Sequence, residues 1–434
     1  MAWPEPAGRR TRAASRACAP AGRGRGRRGH LARFAERWAP GFSGSAGPRY
    51  LGFVTGGATP ASVAGDWLTS TFDQNISGAG GSWAAELERE TVAWLRELFG
   101  LGEAHSGAFV TGATVSNTVG LAIAREWLGE RLGVDVSRSG PPRSARSTCL
   151  RQPALQRGQS HVGAGHRPGP AAPVPLLPGN REAVDVAALE SALADLGGRP
   201  AIVVANAGTV NTVDFDDLRA IAALKERHDF WLHVDAAFGG FAALSPEYAM
   251  LVDGLDAADS VCVDLHKWLN VPYDAAVQFT RRRDLQVAVF HNSSPYLGLP
   301  TGEPDFLHLT PENSRRLRAL PAWFSLVAYG RAGHREIVER NVALARRLGE
   351  GVDALPACAC WPRSGSTSSA SRSPRRSPRR SGWIAGAGGR RVREAFLTPT
   401  VYGGVPALRA AFSNWRTTEA DTRRVLDVLA TASG

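Results

Sequence analysis

The sequence is poor in lysine. Of its 51 basic side chains only Lys225 and Lys267 are amines and the rest are arginine, so chemistry that needs a side-chain amine has two candidate positions. Five cysteines, Cys18, Cys149, Cys262, Cys358 and Cys360, show neither a disulfide framework nor zinc-ligand spacing, since Cys358-x-Cys360 has no partner pair. No run approaches the length of apolar residues that spans a bilayer, which excludes a transmembrane helix. The N-terminus has no apolar signal core, so a cytoplasmic location is expected. What is present is a chain of 434 residues, 43% hydrophobic and 21% charged, able to bury a sizeable core and inconsistent with wholesale disorder.

The net charge of +11 is unevenly spread. Residues 1–30 carry +7, residues 137–172 carry +6 and residues 357–393 carry +9, which leaves −11 on the remaining body. The run SRSPRRSPRR at 371–380 is of a kind that grips phosphates, but an acidic body opposes a nucleic-acid partner and no RNA-binding module accompanies it. The segments 139–175 and 361–391 are rich in Arg, Pro, Ser and Gly and lack apolar periodicity. They read either as disordered linkers or as GC-rich DNA translated out of frame. The Arg-rich start at 1–30 reads as another such out-of-frame segment, as a tail, or as a transit peptide.

Elsewhere the pattern is regular. Residues 82–99 form an amphipathic helix with Ser82 as cap and Leu87, Thr91, Trp94, Leu95 and Leu98 on one face. FVTGATVSNTVGLAIAREW gives a strand, a small-residue turn and a helix. Strands are expected at 200–206, 230–237, 260–266 and 275–282, with a helix at 214–228. A helical stretch from about 312 to 350 precedes a tail with a short strand and a final helix. Alternating strands and helices imply an α/β fold around a mostly parallel sheet. The expected divisions are an N-terminal segment over 1–46, a large domain over 47–310 and a small α+β domain over 311–434.

Three motifs carry chemistry: TGATVSN at 111–117, HVDAAFGG at 233–240 and DLHKWLN at 264–270. Asp235 ends one strand and Lys267 follows the next. Strand C-termini of an open α/β sheet face the ligand crevice. A small-residue turn before a helix offers backbone N–H groups to a phosphate. An amine, a carboxylate and a phosphate cradle together fit pyridoxal phosphate, with Lys267 forming the Schiff base and Asp235 keeping the pyridine nitrogen protonated.

HVDAAFGGF followed by DSVCVDLHKWLNVPYDAAVQF resembles the pyridoxal-dependent group II amino-acid decarboxylases. GPRYLGFVTGGATPASVAGDWL, NAGTVNTVDFDD, SRRLRALPAWFSLVAYGRAG and LRAAFSNWRTTEAD extend the resemblance over most of 31–136, 176–356 and 394–434. It implies a fold of the aspartate-aminotransferase type, a homodimer, and release of CO2 from an L-amino acid to leave its amine. It also implies roles for single residues: Lys267 and Asp235 as above, Ala237 against the ring, Ala113 and Thr114 in the phosphate turn, His266 near the phosphate, Asp264 at a polar position and Thr209 in the pocket lining.

Two features depart from the family. A histidine is expected on the cofactor's face, yet the stretch that should carry it offers only His161 and His166, in no matching context. A loop tyrosine is expected as proton donor, yet none lies between Tyr296 and Tyr329, where His308 is the nearest substitute. Other outcomes on the same cofactor, an aminotransferase-like or a decarboxylating-deaminase reaction, therefore stay open, as does an inactive cofactor-binding remnant. The substrate side chain leans to aromatic or bulky, because the pocket motifs hold no cluster of basic residues for a second carboxylate.

Overall fold

In a computed structural model of the chain, residues 26–76, 81–136, 149–151, 172–179, 181–292, 303–355, 360–361, 368–372, 383–385, 393–402 and 404–433 are described. A seven-stranded sheet is built from β1 (Ser106–Val110), β2 (Cys149–Arg151), β3 (Ala172–Pro173), β4 (Ala201–Asn206), β5 (Phe230–Asp235), β6 (Ser260–Asp264) and β7 (Ala276–Thr280). Its order is β1-β7-β6-β5-β4-β2-β3. From β6 to β3 the strands run parallel, whereas β7 runs antiparallel to both β6 and β1. The sheet is thus mixed at one end. The cause is the short connection 265–275, which falls below the length of about a dozen residues that a parallel crossover needs.

The central strands are apolar on both faces, as a sheet covered by helices requires. On β4, Val203 and Ala205 join one core with Leu232, Val234, Val261 and Val263. Ile202 and Val204 face the opposite core with Trp231. The helices are α1 (Gly26–Arg37), α2 (Pro60–Phe72), α3 (Ala84–Leu98), α4 (Ala113–Leu132), α5 (Val186–Ala194), α6 (Leu218–Ala223), α7 (Leu265–Trp268), α8 (Arg283–Phe290), α9 (Ala319–Asp353) and α10 (Glu419–Ser433). α4 covers the face of Ile202 with Val119, Leu121 and Ile123. α3, α5, α6 and α9 cover the other. No helix among the described residues is long and apolar enough to cross a membrane.

Three helices differ from their expected bounds, and of these α9 begins at Ala319 rather than near 312. α3 starts at Ala84 behind Trp83, although Ser82 Oγ still accepts a hydrogen bond from Ala84 N at 3.2 Å. The helix expected over 214–228 begins only at Leu218, capped by Asp217, and tightens to a 3-10 turn at Leu224–Glu226. Asp214 and Asp216 instead accept backbone N–H groups of Glu182, Ala183, Val184 and Asn206, a use of carboxylates that competes with helix.

A second assembly lies C-terminal. β8 (Cys360–Trp361), β9 (Ser368–Arg372), β12 (Thr398–Tyr402) and β13 (Val405–Ala411) form a four-stranded sheet in the order β12-β13-β9-β8, and β10 (Trp383–Ala385) pairs with β11 (Arg393–Phe396). Its core joins Leu344, Leu348 and Val352 of α9 to Leu397, Phe412, Val425 and Leu429. Leu51 enters the same core and stitches it to the chain ahead of α2, since its N–H reaches Phe396 O and its carbonyl receives Ala411 N, both at 2.8 Å. Asn270, in the left-handed region at φ 54°, fastens the two assemblies. Its amide donates to Trp268 O and Ser413 O and accepts from Trp415 N, while its carbonyl receives Thr59 N.

α9 breaks at Gly330, whose φ of 58° is non-helical. Beyond the break, fully buried His334 donates from Nε2 to Ser325 O at 3.3 Å. Burial lowers its pKa to about 4. A folded-state value below the ordinary 6.5 contributes stability that is complete above pH 6.5 and lost as pH falls toward 4, on the order of 3 kcal/mol in total. His334→Gln, which keeps a donor but does not titrate, is expected to flatten the urea-unfolding free energy between pH 6.5 and 4 relative to the parent. Parallel pH profiles for the two proteins would contradict this.

Candidate active site

At the C-terminal edge of the sheet β4, β5 and β6 end in Asn206, Asp235 and Asp264. Asn206 is the register partner of Asp235, and Cys262 that of Asp235 on the other side. α4 starts opposite them, and α7 carries Lys267 away from β6. Between these ends lies a cavity of about 450 Å³. Ala113, Thr114, Thr209, Asp235, Ala237, Asp264, His266 and Lys267 all line it, so the residues singled out from sequence converge on one space.

Asp264 is the junction. Its Oδ2 lies 2.9 Å from Lys267 Nζ, and its Oδ1 accepts Ala113 N at 2.7 Å. The amide expected to meet a phosphate therefore donates to a carboxylate here, which also suits the positive end of the α4 dipole. Thr114, next along the helix, is exposed toward the cavity. Gly56 holds the lysine segment from behind. A Cβ there would stand 1.8 Å from Lys267 O, so only glycine permits this approach.

Asp235 presents an edge to the cavity but is ringed by protein. Burial pushes its carboxyl pKa up, opposed by the charge of Lys267 and by hydrogen bonds from Ala237 N at 3.1 Å and Asn117 Nδ2 at 2.8 Å. Such a carboxylate stays ionised most readily beside a cationic partner. The His266 ring packs on Tyr273 with centroids 4.6 Å apart, and burial holds its pKa below the usual histidine value. Thr209 Oγ1 accepts Asp214 N at 2.9 Å and contacts Thr212 Oγ1 at 3.0 Å.

Sequence reading missed three lining residues. Asn117 was within a quoted motif, but its bond to Asp235 depends on the helix phase of α4. Asn206 is 7% exposed, and its Nδ2 finds no hydrogen-bond partner among the described residues. Arg409 of β13 is also 7% exposed and, among the described residues, donates only to Val210 O and Phe53 O, at 2.8 and 2.6 Å. Burial lowers its pKa, and no ion pair to it is found among the described residues. Apart from the lysine, no periodicity signals a buried arginine arriving from the distant C-terminal sheet.

Other candidates fall elsewhere. His161 and His166 lie outside the described residues. His308 is buried, accepts Asn292 N at 3.1 Å and stacks on His291, and it does not line the cavity. Lys225 pairs with Asp259, away from the cavity.

The pyridoxal-dependent decarboxylase conserved domain matches residues 34–357. The chain belongs to this family. It is 29% identical over 312 residues to an aromatic-L-amino-acid decarboxylase of Bacillus atrophaeus, covering 69% of this chain and 62% of that protein. It is 28% identical over 342 residues to a 3,4-dihydroxyphenylacetaldehyde synthase of Aedes aegypti, covering 73% and 64%. The chain thus spans about three fifths of the length of these curated relatives. Among solved structures, Oryza sativa TDC with PLP and tryptamine superposes at a TM-score of 0.83 with 23% identity, over 96% of this chain and 90% of that one. That likeness shows the fold, type I among pyridoxal-phosphate enzymes.

The family's cofactor is pyridoxal phosphate, and the residues present fit it. The half-buried Asp235 carboxylate suits a protonated ring nitrogen, Asn206 Nδ2, without a partner among the described residues, suits a ring oxygen, Lys267 supplies the amine, and Thr114, exposed at the start of α4, suits the phosphate.

Proposed function

We propose that the protein decarboxylates an L-amino acid to its amine and CO2. The observation that carries this is the convergence of Lys267, Asp235 and the α4 N-terminus on one cavity in a chain of this family. Pyridoxal phosphate supplies an electron sink for the pair left at Cα when CO2 departs. The protein's part is positional. Lys267 holds the cofactor, Asp235 keeps the proton on the ring nitrogen, and Ala113, Thr114 and His266 surround the phosphate, with Asp264 orienting the lysine. Ala237 and Thr209 complete the cofactor's walls.

Arg409 has a buried positive charge facing the cavity with no counter-ion among the described residues, an arrangement that calls for an anion. The carboxylate of the bound amino acid meets that need. Phe53, Val54, Val210, Phe238 and Tyr273 also line the space, beside the polar Glu182 and Asn211, and their rings favour an aromatic or other bulky side chain. An aldehyde product is the second reading, favoured by the likeness to an aldehyde synthase and by the absence of tyrosine between Tyr296 and Tyr329.

The functional unit in this reading is a homodimer in the cytoplasm. Trp67, Phe72 and Trp83 are 69%, 64% and 83% exposed beside an apolar groove formed by Leu68, Leu87, Leu320 and Phe324, a surface suited to a second copy. Sedimentation at micromolar concentration should show the dimer, and a monomer would contradict it.

With aromatic L-amino acids, amine and CO2 should appear in equal amounts. Aldehyde, CO2 and ammonia in place of amine, formed with water and with dioxygen consumed as the two-electron oxidant and released as hydrogen peroxide, would establish the second reading, and no turnover of any L-amino acid would contradict both. Arg409→Met should raise KM by about 10- to 100-fold while cofactor binding persists. An unchanged KM would remove Arg409 from substrate binding.

A further inference from the structure

Behind Asp235 runs a chain of hydrogen bonds that direct contact with a cofactor does not explain. Trp231, His233 and Asp235 alternate along β5 and so share one face of the sheet. Trp231 Nε1 donates to Ser260 Oγ at 2.9 Å. His233 Nδ1 lies 2.8 Å from the same hydroxyl, and His233 Nε2 lies 2.9 Å from Asn117 Oδ1. Asn117 Nδ2 then donates to Asp235 Oδ2 at 2.8 Å. Trp231, Ser260 and His233 are at most 1% exposed, and Asn117 is 8% exposed.

The chemistry of the end group fixes the direction of the whole chain. An ionised carboxylate only accepts, so Asn117 turns its amino group to Asp235 and its carbonyl to His233. That carbonyl also only accepts, so Nε2 of His233 carries the hydrogen. Ser260 receives the indole N–H and passes its own hydrogen to Nδ1. Every donor therefore points toward Asp235. The imidazole also occupies room that α4 leaves for it. A Cβ on Gly120 would stand 2.7 Å from His233 Cε1 and 2.8 Å from Nδ1.

We propose that His233 is a positioning residue for this site. Its Nε2 hydrogen holds the Asn117 amide in one orientation, and through Asn117 it keeps Asp235 ionised and aimed at the ring nitrogen of the cofactor. Ser260 and Trp231 fix the imidazole tautomer that this requires. The inference rests on the assignment of pyridoxal phosphate to the cavity. A histidine serving only as core filling would need volume but no donor at Nε2.

The test compares the parent with His233→Phe, which keeps volume and removes the donor, and His233→Gln, whose amide N–H replaces Nε2–H. Each apoprotein is titrated with pyridoxal phosphate, following affinity and the visible band of the bound cofactor, with thermal unfolding of the apoproteins measured alongside. His233→Phe should bind on the order of 10-fold more weakly, with a shifted band. His233→Gln should stay close to the parent in both. If the phenylalanine variant does not fold, His233→Asn, too short to reach Asn117, takes its place with the same expected loss. A folded donor-less variant with the parent's affinity and band would overturn the inference, leaving the cofactor assignment intact. A parent that binds no cofactor would overturn the assignment itself, and the positioning role with it.

Discussion

The parallel register of β4, β5 and β6 is the constraint on which the site depends. Asn206 stands opposite Asp235, and Asp235 opposite Cys262, so the strand ends present their polar groups at one level. A slip of one residue would turn Asp235 and Asn206 to the opposite face and put apolar side chains in the cavity wall. The register is held by apolar packing on both faces, Val203, Leu232 and Val261 on one and Ile202 and Trp231 on the other. The core thus sets the accuracy of the chemistry, although none of these side chains takes part in it.

A second coupling runs through Asp264. One carboxylate meets both the first amide of α4 and the amine of Lys267. Helix start and lysine are therefore placed relative to each other by a single buried side chain. The turn of the chain that follows is too short to cross the sheet, so β7 comes back antiparallel and leaves α7 projecting at the rim. Gly56 then closes on the lysine backbone, and Asn270 ties the same segment to the C-terminal assembly that delivers Arg409. Sheet, amine and guanidinium become one continuous framework.

How much of this could be read in the sequence varied with distance along the chain. The strands holding Asp235 and Asp264 were legible because both are short apolar runs ending in a carboxylate, and Lys267 because amines are nearly absent. The direction of β7 was not legible, since apolar content does not encode strand polarity and only loop length hinted at it. The late start of α6 escaped because the carboxylates of Asp214 and Asp216 serve the backbone of residues 182–184, far away in sequence, and the end of β4. Asn206 and Arg409 escaped for a related reason. Their importance lies in what the described residues do not offer them, a hydrogen-bond partner for Asn206 Nδ2 and a carboxylate for Arg409, and such a gap becomes visible only when the surroundings are known. The segments 139–175 and 361–391 fall largely outside the described residues.

The central claim is that Lys267 carries pyridoxal phosphate. The scarcity of lysine makes a direct measurement simple. The protein is loaded with the cofactor, reduced with borohydride so that the lysine–cofactor bond becomes permanent, digested, and mapped by mass spectrometry. The account predicts the added mass on the peptide containing Lys267 and none on the peptide containing Lys225. Label on Lys225 alone, or no label on a folded protein, would contradict it.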